Sequence, residues 1–160
     1  MIKAYQLIDK LEREHSLSLF EYQTLIEAEN DALRLYAANK AKEQATLIYG
    51  NSVYVRGLIE VGNYCRNDCF YCGIRKSNSH CDRYILDEED IMHCCKEGYE
   101  LGFRTFVLQG GEGIYKKDFV TNIVKKIHNL YPECAITLSL GEEDRDTYQA
   151  WYDAGADRYL

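Results

Sequence analysis

From about residue 51 onward, short apolar runs with strand character alternate with helix-like stretches, and this alternation most limits the folds open to the chain. Val53, Val55, Gly57, Ile59 and Val61 alternate with Tyr54, Arg56, Leu58 and Glu60, the two-residue period of a strand. Asp87 is placed to cap a helix carrying Ile91, Cys94, Cys95 and Leu101, which Gly102 stops in left-handed backbone. A second strand is expected from Thr105 to Gln109, then a helix from about Lys117 to Tyr131 that Pro132 ends, because proline cannot join a continuing helical ladder. A third strand, Ala135 to Leu140, precedes a helix from Arg145 to Ala154 closed at Gly155, and Arg158-Tyr159-Leu160 begins a fourth strand. Strands separated by helices imply parallel βαβ units and an α/β fold. A closed barrel of eight such units needs about 200 residues, so the roughly three units and strand stub between Val53 and Leu160 are expected to form an incomplete one.

The first 46 residues carry no strand signal. Leu7, Leu11, Leu25, Ile26, Leu33, Leu35 and Tyr36 are spaced as apolar stripes on helices. Ser18-Leu19-Phe20-Glu21 has the form of a capping box and marks a helix start. The expected organisation is a helical segment over 1–50 and a βα segment over 51–160, with the boundary near Tyr49 to Ser52.

Nineteen basic against twenty-six acidic residues give a net charge of −7, which opposes attraction to phosphate and argues against a nucleic-acid partner. No apolar signal region opens the chain and no stretch is long enough to cross a bilayer, so a cytoplasmic protein without a membrane role is expected. Seven cysteines in such a chain read as reduced thiols kept for metal or catalysis.

Three of them, Cys65, Cys69 and Cys72, stand at C-x3-C-x2-C spacing directly after the first strand. A loop of that size can bring three thiolates to three corners of a 4Fe-4S cube, with no protein ligand on the fourth iron. Two other readings compete. A zinc site could draw on Cys69, Cys72, His80 and Cys81, but it leaves Cys65 unused. Core cysteines are expected singly on apolar faces, not beside Arg66, Asn67 and Asp68. Gly110-Gly111-Glu112 follows the second strand, where a barrel of this type places ligands. Its other reading is an ordinary turn before a helix.

Together these residues resemble the radical S-adenosylmethionine (SAM) superfamily, whose cluster loop has an aromatic residue before its last cysteine, here Tyr71, and whose GGE motif matches Gly110 to Glu112. Within it the sequence is similar to the HydE family of FeFe-hydrogenase maturases. The likeness is carried by Arg56 to Glu60, Asn63 to Cys65, Tyr71 to Arg75, Thr105 to Glu112, Ile136 to Glu142 and Ala154 to Leu160. The biotin synthase and methylornithine synthase families have a similar loop. Gly113-Ile114 stands where an Asp-Pro or similar acidic turn is the family pattern.

The resemblance implies N-terminal helices followed by the first βα units of a partial TIM-type radical SAM barrel, truncated at the fourth strand. It implies a 4Fe-4S cluster on Cys65, Cys69 and Cys72, with SAM on the open iron and Tyr71 and Gly110 to Glu112 forming part of its seat. It further implies reductive cleavage of SAM to a 5'-deoxyadenosyl radical, in a HydE-like role in maturing the hydrogenase active site. A small-molecule or organometallic substrate, an electron donor such as ferredoxin or flavodoxin, and other hydrogenase maturases are the partners implied. The alternatives are an enzyme like biotin synthase or methylornithine synthase, a non-catalytic zinc module, and an inactive fragment of the enzyme.

Pattern alone adds further candidates. In the third strand Ile136, Leu138 and Leu140 share one face, so Thr137 and Ser139 face the lumen, where HydE-like proteins approach SAM. Gln109 and Arg158 sit beside motif residues and are ligand candidates. Arg56 and Glu60 point the same way and are expected as a structural ion pair on the barrel floor. Of the neighbours Cys94 and Cys95, one is expected in the core. No histidine is placed for acid-base chemistry, and no catalytic residue is assigned.

Overall fold

A computed structural model describes residues 2–113 and 115–160, apart from the side chain of Ile2. Two compact units meet in sequence between Val53 and Tyr54, and each is taken by itself.

The first unit is helical: α1 (Ile2–Glu14), α2 (Leu19–Glu27) and α3 (Asp31–Tyr49). The capping box forms as expected. Glu21 N donates to Ser18 Oγ at 3.3 Å and Ser18 N donates to Glu21 Oε2 at 2.8 Å, so each residue's side chain satisfies the other's backbone donor, which has no helical partner. Ala4, Ile8 and Leu33 make a small core, with Tyr5, Leu25 and Tyr36 packed against it. Between α1 and α3 runs a polar seam in which Tyr36 donates to Asp9 at 2.6 Å and Lys40 to Glu12 at 2.8 Å. The apolar stripe is only partly buried: Leu7 and Leu33 are covered, whereas Ile26 and Leu35 are exposed. Short helices within one small unit each cover a single face, and α2 buries no residue at all.

The second unit holds a four-stranded parallel sheet in the order β1 (Gly57–Gly62), β2 (Thr105–Gly110), β3 (Ala135–Ser139) and β4 (Arg158–Tyr159). The crossovers contain α4 (Glu88–Glu100), α5 (Lys117–Leu130) and α6 (Arg145–Asp153). Asp87 caps α4 by accepting from Asp90 N at 2.9 Å, and Gly102, with φ of +95°, turns the chain out of it. The first strand is shorter than its apolar alternation suggests. Its ladder starts at Gly57 opposite Phe106, and because β2 itself starts at Thr105, residues 53–56 lie outside the ladder and are exposed.

The helix-facing side of the sheet, with Ile59, Val61, Phe106, Leu108, Ile136, Leu138 and Leu140, packs on Ile91 and Cys95 of α4, Val124 and Ile127 of α5 and Trp151 of α6. Each such side chain contributes about 1.5–3 kcal/mol by leaving water. Cys95 is the buried member of its pair and Cys94 is exposed. On the other side the registers fix two rows: Leu58, Val107, Thr137 and Arg158, then Glu60, Gln109 and Ser139 nearer the C-terminal strand ends. Among the described residues no helix is long and apolar enough to cross a membrane.

Candidate functional site

The chain leaves β1 at Gly62, and the cysteine loop begins at once. The loop is closed at its base, because Ile85 returns beside Gly62 in an antiparallel bridge, Leu86 N donates to Val61 O at 2.7 Å and Asn63 N to Tyr84 O at 3.2 Å. Asn63 reinforces this closure: its Nδ2 donates to Asp82 O at 2.6 Å and its Oδ1 accepts from Tyr84 N at 2.8 Å. Farther out, Lys76 N donates to Asn67 O and Ser77 N to the Asp68 carboxylate, both at 2.9 Å. Bonds from the side chain and backbone of Ser77 hold the Asp68 carboxyl below its ordinary range. The polar residues between the cysteines thus tie the two limbs of the loop together.

On the adjacent strand, β2 ends at Gly110, which pairs with Gly62 in the ladder. The two glycines make room for Tyr115. A methyl group on Gly62 would lie 2.5 Å from its hydroxyl, and one on Gly110 2.7 Å from it. Burial pushes the Tyr115 phenol up to about 12. Gly111 meets the cysteine loop itself: a methyl group there would strike the Tyr64 carbonyl and lie 2.8 Å from Cys65 Cβ. The space on the side-chain side of all three glycines is filled by protein, which holds the two strand ends together.

Glu112 sits at that junction. Its Oε1 accepts from Arg66 Nε at 3.0 Å and Nη2 at 2.6 Å, and its Oε2 accepts from Asn67 Nδ2 at 2.9 Å. Arg66 N also donates to Glu112 O at 2.9 Å, and the carboxylate raises the pKa of the Arg66 guanidinium further. From the next strand end, Glu142 O accepts from Arg66 Nη2 at 3.4 Å.

Cys65 is half-buried, and its Sγ accepts from the N–H groups of Asn67 and Glu112, each at 3.4 Å. Cys72 is half-buried, Cys69 is exposed, and Tyr71 is 93% exposed. Among the described residues no three His, Cys, Asp or Glu side chains converge closely enough to hold a metal ion, so neither the three cysteines nor the zinc set of Cys69, Cys72, His80 and Cys81 is drawn together. The donor set nevertheless fits an iron-sulfur cluster. All three thiols are free on one tied loop, and one of them already receives two backbone donors of the kind that sulfur bound to iron accepts.

The remaining candidates lie on the sheet. Gln109 and Ser139 are register partners, Gln109 exposed and Ser139 half-buried. Thr137 is fully buried, and its Oγ1 has no hydrogen-bond partner among the described residues, an orphaned polar atom on the face where the resemblance would place SAM. Arg158 pairs in register with Thr137 and is exposed. Thus Cys65, Gly110, Gly111 and Glu112 come together, while Tyr71 stands out in solvent. Ile114 lies outside the described residues. Arg56 and Glu60 form no ion pair among the described residues. Both are exposed, so the burial that would have demanded pairing is absent.

Sequence reasoning missed Arg66 and Asn67 as partners of Glu112, Asn63 and Arg83 as ties of the loop, and Tyr115 as the plug at the strand ends. The paired glycines at 62 and 110 were a usable signal for Tyr115, whereas contacts across 46 residues have no local pattern to betray them.

Comparison with known proteins matches residues 59–160 to the model of the radical SAM superfamily. The FeFe-hydrogenase maturase subunit HydE of Thermotoga maritima is 38% identical over 159 residues, covering 97% of this chain and 44% of that protein. The crystal structure of methylornithine synthase (PylB) superposes with a TM-score of 0.79 at 28% identity, over 96% of this chain and 46% of that one. HydG, a maturase of the FeFe-hydrogenase, superposes with a TM-score of 0.84 at 23% identity, a likeness of fold, over 98% of this chain and 36% of that one. The chain therefore spans less than half the length of each of these proteins.

Proposed function

This chain belongs to the radical SAM superfamily, and on that premise we propose that residues 51–160 are the cluster-bearing part of a HydE-like enzyme, preceded by a helical segment over 1–50. Cys65, Cys69 and Cys72 would hold a 4Fe-4S cluster with one iron open, and Tyr71, Gln109, Gly110, Gly111, Glu112, Thr137, Ser139 and Arg158 would surround SAM. When bound, the cluster supplies one electron to the SAM sulfonium, releasing methionine and a 5'-deoxyadenosyl radical.

The observation that carries this reading is the junction of two adjacent strand ends. The loop that leaves β1 and the GGE segment that leaves β2 are joined there through Gly111 against Tyr64, Glu112 N donating to Cys65 Sγ, and Arg66 on the Glu112 carboxylate. The C-terminal edge of a parallel sheet is where barrels of this class assemble their chemistry. Glu112 presents a fixed carboxylate where a cationic amino group can be received. Gln109 and Ser139, register partners on the same face of the sheet, offer polar groups near these strand ends, whereas the fully buried Thr137 hydroxyl would have to be uncovered to meet a ligand. The 38% identity to HydE favours a substrate and partners of that class: an organometallic iron species or other small molecule, a ferredoxin- or flavodoxin-type electron donor, and other hydrogenase maturases.

Anaerobic reconstitution with iron and sulfide, followed by electron paramagnetic resonance of the reduced protein, tests the reading. The expected result is a 4Fe-4S signal that changes on adding SAM. A protein that binds zinc with no iron or sulfide, or a cluster signal indifferent to SAM, overturns it.

A further inference from the structure

The cysteine loop spans residues 63–84 with little regular structure, so something other than a ladder must fix its course. Arg83 supplies the densest set of ties in the loop. Its Nη1 donates to the carbonyl oxygens of Asn63 and, at 2.9 Å, Ile74, while its Nη2 donates to those of Arg75 at 2.7 Å and Asn78 at 3.1 Å. One guanidinium thereby collects carbonyls from both limbs: the residue that opens the loop beside β1, and the stretch that follows the last cysteine. The group also lies 5.9 Å from the centre of the Tyr64 ring, immediately before Cys65.

Four carbonyls directed at one point repel one another unless a cation with several fixed donors sits between them. Guanidinium is the side chain with that geometry, since its donors form a rigid planar fork, whereas an ammonium is a compact, strongly hydrated charge on a flexible stem. The Arg83 head is half-buried, where bonds to a charged donor count for more than at the open surface.

We infer that Arg83 is a positioning residue, holding the backbone from Asn63 to Asn78 in one fixed course before any iron arrives, so that only the cysteine side chains and their short flanks have to close on a cluster. This inference rests on the cluster reading proposed above. All four bonds of the Arg83 guanidinium go to backbone carbonyls, so it acts through the backbone that carries Cys65, Cys69 and Cys72. Ordering the loop in advance removes from cluster assembly the entropy of fixing a long irregular segment.

The test compares the wild-type chain with Arg83→Gln and Arg83→Lys. Hydrogen exchange of the metal-free proteins is read over residues 63–78, with α5 as the internal control, and iron content and the paramagnetic spectrum are read after anaerobic reconstitution. Loop exchange is expected to quicken about tenfold or more in both variants while the Val124 and Ile127 region is unchanged, because only a local unit is loosened. Iron affinity is expected to fall about 10–100-fold, with a broadened cluster signal in the fraction that loads. Loop exchange unchanged in the variants overturns the inference. So does full rescue by Arg83→Lys, which would mean that charge suffices and the fork does not matter. Quickened exchange in α5 as well would mark general unfolding and also overturn it. A wild-type chain that takes up no iron overturns the cluster reading and the cluster role of Arg83 with it. Iron uptake by the wild type with loop exchange unaltered in the variants removes the role of Arg83 alone.

Discussion

Arg66 and Glu112 stand 46 residues apart and join the ends of two neighbouring strands, with Nη2 at 2.6 Å and Nε at 3.0 Å from a single carboxylate oxygen. One residue lies between the first two cysteines of the loop and the other closes the glycine motif of the next strand. The carboxylate is therefore aimed by the loop that carries the thiols, and any movement of one segment is felt by the other. Removing either partner should disturb ligand binding more than folding, because Arg66 is largely exposed and surface ion pairs add little stability. Arg66→Ala and Glu112→Gln are each expected to weaken SAM binding about tenfold in the reconstituted protein while iron content stays near that of the wild type. Titrating SAM against the change in the cluster spectrum measures this, and unaltered affinity in both would show that the carboxylate does not face the ligand.

Two glycines near the site make opposite predictions. At Gly111 an added methyl group meets backbone, the Tyr64 carbonyl, with Cys65 Cβ 2.8 Å away, so no rotamer change relieves it and one strand end must move off the other. At Gly73, beside Cys72, nothing lies within 4 Å. Gly111→Ala should destabilise the sheet unit by about 1–3 kcal/mol and lower iron loading, as overpacking does. Gly73→Ala should stay within about 0.5 kcal/mol of the wild type. Urea unfolding with parallel iron analysis separates the two.

The order of strands and helices was legible because each local signal agrees with the fold: Asp87 caps, Pro132 follows α5, and the Ile136, Leu138, Leu140 face is the buried one. What was not legible is what joins segments distant in sequence. Arg66 reads as a surface charge until β1 and β2 are set side by side, and Arg83 reads as one more basic residue until four carbonyls are seen around it. The extent of β1 was over-read for a related reason. Alternation from Val53 onward signals an extended chain, but a strand also needs a partner, and β2 offers none before Thr105. Tyr71 shows a further limit: a motif names a residue without fixing its surroundings, and here its ring stands in solvent.

Alkaline pH should unfold the sheet unit. Burial pushes the Cys95 thiol from 9.0 up to about 12, and it pushes the phenols of Tyr115 and Tyr159 from 10.0 up to about 12. The folded chain keeps these protons where the unfolded chain loses them, so between pH 9 and 12 unfolding releases protons and rising pH favours it. The stabilisation is fully present below the unfolded values and is lost as the pH climbs through the folded ones. Urea midpoints are expected to be level as pH approaches 9 from below and to fall steadily above it. Cys95→Ala removes one of the three groups and should make the fall shallower, which separates this cause from general alkaline damage.

The helical unit should be sensitive at the other end of the scale, chiefly through Glu21, with Glu12, whose carboxyl the bonds from Lys40 and Gln44 also hold down, adding to it. Glu21 is held down from 4.5 to about 2, first by the bond from Lys10 on α1 and then by the backbone and side chain of Ser18. A depressed carboxyl stabilises the fold above its unfolded value, and that contribution disappears as pH falls through the folded one. Helix content measured by circular dichroism is therefore expected to hold down to about pH 4.5 and to decline toward pH 2 as protonation releases both the α1 tie and the cap. Glu21→Gln should lower helix content at neutral pH and make that decline shallower, leaving the part that comes from Glu12. Ser18→Ala removes the hydroxyl that caps α2 while leaving Lys10 bound to Glu21. It should cost about 1 kcal/mol at neutral pH, as cap removal does, with the acid-dependent decline still present.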